Sequence, residues 1–213
     1  MKYLFFDIEC ANCYQNKGKI FSFGYVLTDE NFCVLEQSDL LINPKVQKWD
    51  FYVLKKILRY PMAQIIASPD FSIASQKIFS MLSDPQTIVF GFALSNDIRF
   101  LLDDSERYSL TLPAFDYYDV QSMLKIKENS KMPCSLEKAV EMYCETPIAT
   151  LHRSDADAYN TMLLLQSLCK TMQSSPLKLA NDLNYKPGNI KTFAENRIKK
   201  EALKKARAEK NKK

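Results

Sequence analysis

Lys2-Tyr3-Leu4-Phe5-Phe6-Asp7-Ile8-Glu9 is the stretch on which the reading of this chain turns. It is short, aromatic and β-branched, the composition of a strand. Side chains at i and i+2 share one face of a strand, so Asp7 and Glu9 project together while Phe6 and Ile8 point to the other side. Two neighbouring carboxylates at the end of an apolar strand repel each other and lose hydration, a cost that a cation or a proton offsets. A frayed, solvated strand end explains the pair equally well when it is taken alone.

Working outward, Ile20–Thr28 and Cys33–Ile42 also read as strands, with Asp29-Glu30-Asn31 as the turn between them. Three strands this close in sequence predict an antiparallel meander. The apolar period then changes. Phe51–Arg59 and Asp70–Leu82 carry helical spacing, Thr87–Gly91 is a short strand, and Asn96–Leu102 is a helix. Phe115–Val120 reads as a strand, Ser135–Tyr143 as a helix and Ala156–Met172 as a longer one. A meander followed by alternating helices and strands predicts an α/β domain, a mixed sheet covered by helices. Ser174-Ser175-Pro176 places the domain's end near 175. Residues 176–189 then read as a linker or short helix, and 190–213 as a basic, helical tail.

The chain has 213 residues, 46% hydrophobic and 25% charged, enough for one domain with a substantial core. No stretch is long and apolar enough to cross a membrane, and Asp7 and Glu9 interrupt the opening apolar run, so a cytoplasmic location is expected. Six cysteines in such a chain are expected to be reduced, most of them packed as small apolar groups. Cys10 and Cys13 form a CxxC pair, but the other cysteines are scattered and there is one histidine, too few ligands for a closed zinc site. The net charge of +4 is uneven: residues 190–213 hold ten Lys/Arg and three Glu, +7, which leaves −3 for the rest. A mildly acidic body with a basic tail fits a protein that holds a polyanion, and it fits a solvated charged helix or a partner-docking segment as well.

Two further elements carry titratable groups. Asp97 opens a helix after the strand ending at Gly91, where an acid is favoured as a cap in any case. His152 stands just before the last long helix, and Asp157 falls in that helix's first turn, so loop and helix can turn both toward one pocket.

Together and in this order, the three elements resemble the DEDDh exonucleases, a family with the RNase H-like fold. Phe6-Asp7-Ile8-Glu9 matches the family's FDxE strand, Gly91 with Asp97 its second motif, and His152 with Asp157 its final HxxxxD. Leu136 to Tyr143 is similar to the helix that leads to the last motif, and the likeness runs from about Met1 to Leu168. Cys10 stands where the family usually has Thr, Phe92 and Ala93 where it has His-Asn, Asn96 where it has Phe, and Ser154 where it has Ala. The sister group with Tyr four residues before the last Asp is not matched, because Arg153 occupies that position.

The resemblance implies a 3′→5′ exonuclease that hydrolyses DNA or RNA to nucleoside 5′-monophosphates with two divalent ions, Mg²⁺ or Mn²⁺. It implies Asp7, Glu9 and Asp157 as ligands of one ion, Asp7 and Asp97 of the other, and His152 as general base. The partner it implies is the 3′ end of a nucleic acid, single-stranded. A catalytically inactive nucleic-acid-binding or protein-interaction module on the same fold is the competing expectation, and an RNase H-like endonuclease a further one.

Overall fold

The computed structural model describes residues 1–14, 17–145 and 152–210. Among the described residues six strands form one sheet in the order β3-β2-β1-β4-β5-β6. Strands β1 (Lys2–Asn12), β2 (Lys19–Asp29) and β3 (Val34–Leu41) are the antiparallel meander, and β4 (Thr87–Gly91) and β5 (Asp116–Asp119) add to β1 in parallel. The two-residue strand β6 (Gly188–Asn189) closes the far edge antiparallel to β5. This is the expected mixed sheet flanked by helices.

The alternation in β1 divides the core. Leu4, Phe6 and Ile8 join the cluster beneath α2 (Phe71–Leu82), α3 (Ser95–Arg107) and the start of α8 (Ile190–Lys210). Tyr3 and Phe5 join the opposite cluster, under α4 (Val120–Lys127), α5 (Leu136–Tyr143), α6 (Ser154–Thr171) and α7 (Pro176–Asp182). Asp7 and Glu9, continuing the odd positions, emerge on the α6 side at the open end of the strand.

Four of the helices begin where a side chain satisfies free N–H groups. Asp70 caps α2, Asp119 caps α4, Ser135 caps α5 and Ser175 caps α7. Between β3 and α2 lies the short α1 (Met62–Ala67). The helix expected over Phe51–Arg59 is instead a brief helical stretch ending in a wide π turn, Val53–Ile57, closed by Leu58 N–H donating to Val53 O at 2.8 Å. Only Ile57 of that turn is buried, too little apolar contact to support a regular helix.

The segment 176–189 holds α7, whose Leu179 and Ala180 are buried against α6, and the edge strand β6. Helix α8 covers 190–210 of the expected helical tail; 211–213 lie outside the described residues. The helix's four-residue apolar spacing, Ile190, Ala194 and Ile198, does not mark the packed face. Ile190 is buried and Phe193 packs on the core, while Ile198 is 68% exposed. Arg197 takes the next inward position because its partners, Asp103 and Glu106, lie on α3.

Most of the cysteines are not small core residues. Cys10 and Cys169 are buried, Cys134 and Cys144 half-buried, and Cys13 and Cys33 exposed. Cys33 lies outside because Asp29 ties up the β2–β3 turn, accepting from the Asn31 and Cys33 N–H groups at 2.8 and 2.9 Å.

Candidate active site

Three elements bring the expected residues to one cleft of about 430 Å³. Asp7 and Glu9 come from β1, Asp97 from the first turn of α3, His152 from the loop before α6, and Asp157 from the first turn of α6. The side-chain ligand atoms of Glu9, His152 and Asp157 all lie within 4.8 Å of one another. Among the described residues this is the one group of three or more His, Cys, Asp or Glu side chains gathered so closely, and no cysteine belongs to it.

Each contribution has a local cause. Asp97 is buried, and its Oδ1 accepts the Ile8 N–H at 3.0 Å, which fastens the start of α3 to β1 between the two strand acids. Asp157 is buried too, and its Oδ2 accepts the His152 N–H at 3.0 Å, which fixes the loop that delivers the histidine. The backbone turns sharply at His152 itself, whose φ of 63° is a left-handed conformation that histidine tolerates better than most residues. Opposite Asp7 in the β1–β2 pairing stands Gly24. A β-carbon there would fall 2.0 Å from both Asp155 N and Ser154 C, so only glycine lets the first turn of α6 rest on the sheet beside Asp7.

The electrostatics follow from crowding acids in a shielded place. Glu9 is pushed up to about 8, first by burial and then by Asp157 and Asp97. Asp97 is raised to about 7 and Asp157 to about 6, in both cases chiefly by burial. Asp7 is raised well above the carboxylate range by burial and by the charges of Asp97, Glu9 and Asp157. The His152 imidazole is shifted downward by burial and by the Arg59 guanidinium, so it is neutral near neutral pH. Buried Asp157 Oδ1 makes no well-directed hydrogen bond, although the Asn160 amide lies beside the carboxylate.

Several participants were not singled out in the sequence. Glu137, in the first turn of α5, lines the cleft and acts electrostatically on His152. Asp39 on β3 acts on Asp7 and Glu9 from behind, held by Ser22 Oγ at 2.5 Å and Tyr60 OH at 2.6 Å. Arg59 is the cation that bears on Glu9 and Asp157. Gly24 did carry a signal, a lone glycine inside an apolar strand.

The fold, a meander-led mixed sheet covered by helices, is the one seen in solved 3′-exonucleases of the DEDDh type. No family model and no curated protein matches the sequence. Solved structures do. Cell-death related nuclease 4 (CRN-4) superposes with a TM-score of 0.66 at 15% identity, over 80% of this chain and 64% of that one. The nuclease domain of 3′hExo, a DEDDh family member bound to rAMP, gives 0.65 at 14% identity, covering 80% of this chain and 92% of that one. E. coli Exonuclease I in complex with a dA16 oligonucleotide gives 0.70 at 18% identity, and this chain spans 42% of its length.

Proposed function

We propose that this chain is a metal-dependent 3′→5′ exonuclease that hydrolyses the terminal phosphodiester of DNA or RNA and releases nucleoside 5′-monophosphates. The observation that carries the reading is the convergence of Asp7, Glu9, Asp97, Asp157 and His152 on one cleft. The likeness in fold to 3′-exonucleases adds to it.

The donor set fits Mg²⁺ or Mn²⁺. Four carboxylates offer hard oxygen ligands, they are crowded enough to hold protons above their usual range, and Asp157 Oδ1 is buried without a well-directed donor. Asp7, Glu9 and Asp157 would hold one ion, and Asp7 with Asp97 the second. Two bound divalent ions supply acidification of an attacking water and neutralisation of the departing oxygen.

The chain's own groups do the rest. His152, neutral near pH 7, takes a proton from the attacking water, with Glu137 near enough to stabilise the imidazolium that forms. Phe92, Phe100 and Leu136 line the same cleft and offer an apolar wall to a terminal nucleoside. Beyond Ile198 the residues of α8 with described side chains are open to solvent, where a polyanion or an acidic partner can reach them.

End-labelled DNA and RNA strands, incubated side by side with Mn²⁺, test the reading. Stepwise shortening from the 3′ end is expected, abolished by EDTA and slowed about 10²–10⁴-fold in His152→Ala. Activity that persists in excess EDTA, or cleavage of a circular strand, contradicts it. No cleavage of any strand with Mn²⁺ present favours the inactive binding module.

A further inference from the structure

We propose that the segment from Lys45 to Tyr60 is a track that guides a single nucleic-acid strand into the acid cleft, Phe51 and Tyr52 stacking on bases while Lys55 and Lys56 hold phosphates. The inference rests on the exonuclease reading above and names where its substrate lies.

The segment is built like a binding surface. Phe51, Tyr52 and Leu54 are 68%, 60% and 42% exposed, an apolar patch in water with no packing role of its own. The same segment holds Lys45, Lys48, Lys55, Lys56 and Arg59 against one acid, Asp50, while residues 1–189 as a whole carry −3. Lys55 Nζ lies 4.4 Å from the centre of the Phe51 ring, so ring and cation present themselves together. Rings for bases interleaved with cations for phosphates are what a strand requires of a site that does not read sequence. A protein partner would gain little from lysines spaced among exposed rings, because lysine is depleted in protein interfaces.

The patch is also fixed beside the cleft. Asp50 N–H donates to Ala11 O at 2.9 Å, two residues beyond Glu9, and Asn12 Nδ2 donates to Lys48 O at 2.6 Å. Trp49 packs on Phe21 with ring centres 5.2 Å apart, and Ile57 is buried in the same small cluster. At the far end Tyr60 OH donates to Asp39, the acid behind Asp7 and Glu9, and the Arg153 guanidinium lies over the Tyr60 ring. One end of the segment is therefore tied to β1 just past Glu9 and the other to Asp39, which the strand pairing places in register with Asp7, and its exposed middle faces solvent.

The test is binding of fluorescently labelled strands in EDTA, where no hydrolysis is expected, across a range of salt. The native protein should bind a strand of about ten nucleotides more tightly than one of about three. F51A/Y52A should weaken the longer strand by about tenfold or more and remove the dependence on length. K55A/K56A should flatten the slope of log affinity against log salt by about 1.4, close to 0.7 for each phosphate no longer neutralised. Melting curves that match the native protein's exclude misfolding, and F51Y/Y52F, which keeps both rings, should bind as the native protein does. Unchanged affinity and salt slope in both double variants gives the patch to a protein or membrane surface and overturns the proposal, as does native binding that ignores strand length. The two readings fail separately. A protein that cleaves nothing with Mn²⁺ but binds through Phe51 and Tyr52 keeps the track and loses the nuclease, while one that cleaves normally and binds without them does the reverse.

Discussion

Helix α3 carries buried acids at both ends, and they live in opposite surroundings. Near its C-terminus Asp103 and Asp104 are each 1% exposed. Asp103 Oδ2 accepts the Gly18 N–H at 2.7 Å, and its Oδ1 lies 2.7 Å from Arg197 Nη2. Asp104 Oδ2 accepts the Ile20 N–H at 2.8 Å, with Arg107 Nη1 3.3 Å from Oδ1. Each of these acids has a backbone donor and a guanidinium. At the N-terminal end Asp97 has the Ile8 N–H but faces Asp7, Glu9 and Asp157, and the cation that bears on this cluster is Arg59, which lowers Glu9 and Asp157 less than burial raises them. Burial alone does not make an acid functional, since Asp104 is itself held up to about 6. What separates the two ends is compensation. Acids matched by cations of the chain join β2, α3 and α8, while the acids left in excess are those proposed to take cations from outside.

The largest expected effect falls on the compensated end. Arg197→Ala leaves the fully buried Asp103 carboxylate without its cation and should cost about 3–5 kcal/mol of stability in denaturant unfolding, with no rescue by Mn²⁺. A loss under about 1 kcal/mol would erase the distinction between the two ends. Gly24→Ala forces α6 away from β2 and should cost about 1–3 kcal/mol, with a fall in cleavage rate of about 10²-fold as Asp157 and His152 shift. A normal rate in that variant would show that the close approach of α6 does not set the site. The smallest effect is at Ala93, which lines the cleft with φ of 58°. Asparagine accepts that left-handed conformation more readily, so Ala93→Asn should add about 1 kcal/mol to unfolding without moving the acids.

Much of this was legible in the chain because it is local. The strand acids follow from a two-residue period, α2 from its Asp70 cap, and Asp97, His152 and Asp157 from motifs bound to element boundaries. What the chain did not disclose depends on approach in three dimensions. Asp39 matters because β3 pairs on the far side of β2 with Asp39 in register with Gly24 and Asp7, and Gly24 because α6 crosses β2 at that point. Arg59 follows a π turn that helical spacing disguised as a regular helix. Arg197 displaced Ile198 from the packed face of α8 because an ion pair with buried Asp103 was available to it, which no apolar period foretells.

The most direct measurement is the melting temperature of the metal-free protein between about pH 4 and pH 9, with and without Mn²⁺, in the native chain and in Glu9→Gln. A carboxyl raised by folding holds its proton more tightly in the native state than in the unfolded chain. Its stabilising contribution is therefore complete below the unfolded value, near 4.3 for a glutamate, and is lost as pH rises through the folded one, about 8 for Glu9. The metal-free native protein should melt at progressively lower temperature across that window, Mn²⁺ should restore the loss at pH 8, and Glu9→Gln should show a shallower decline and a smaller response to Mn²⁺. A melting temperature flat from pH 4 to 9 and indifferent to Mn²⁺ would contradict the claim that these acids are gathered to hold metal.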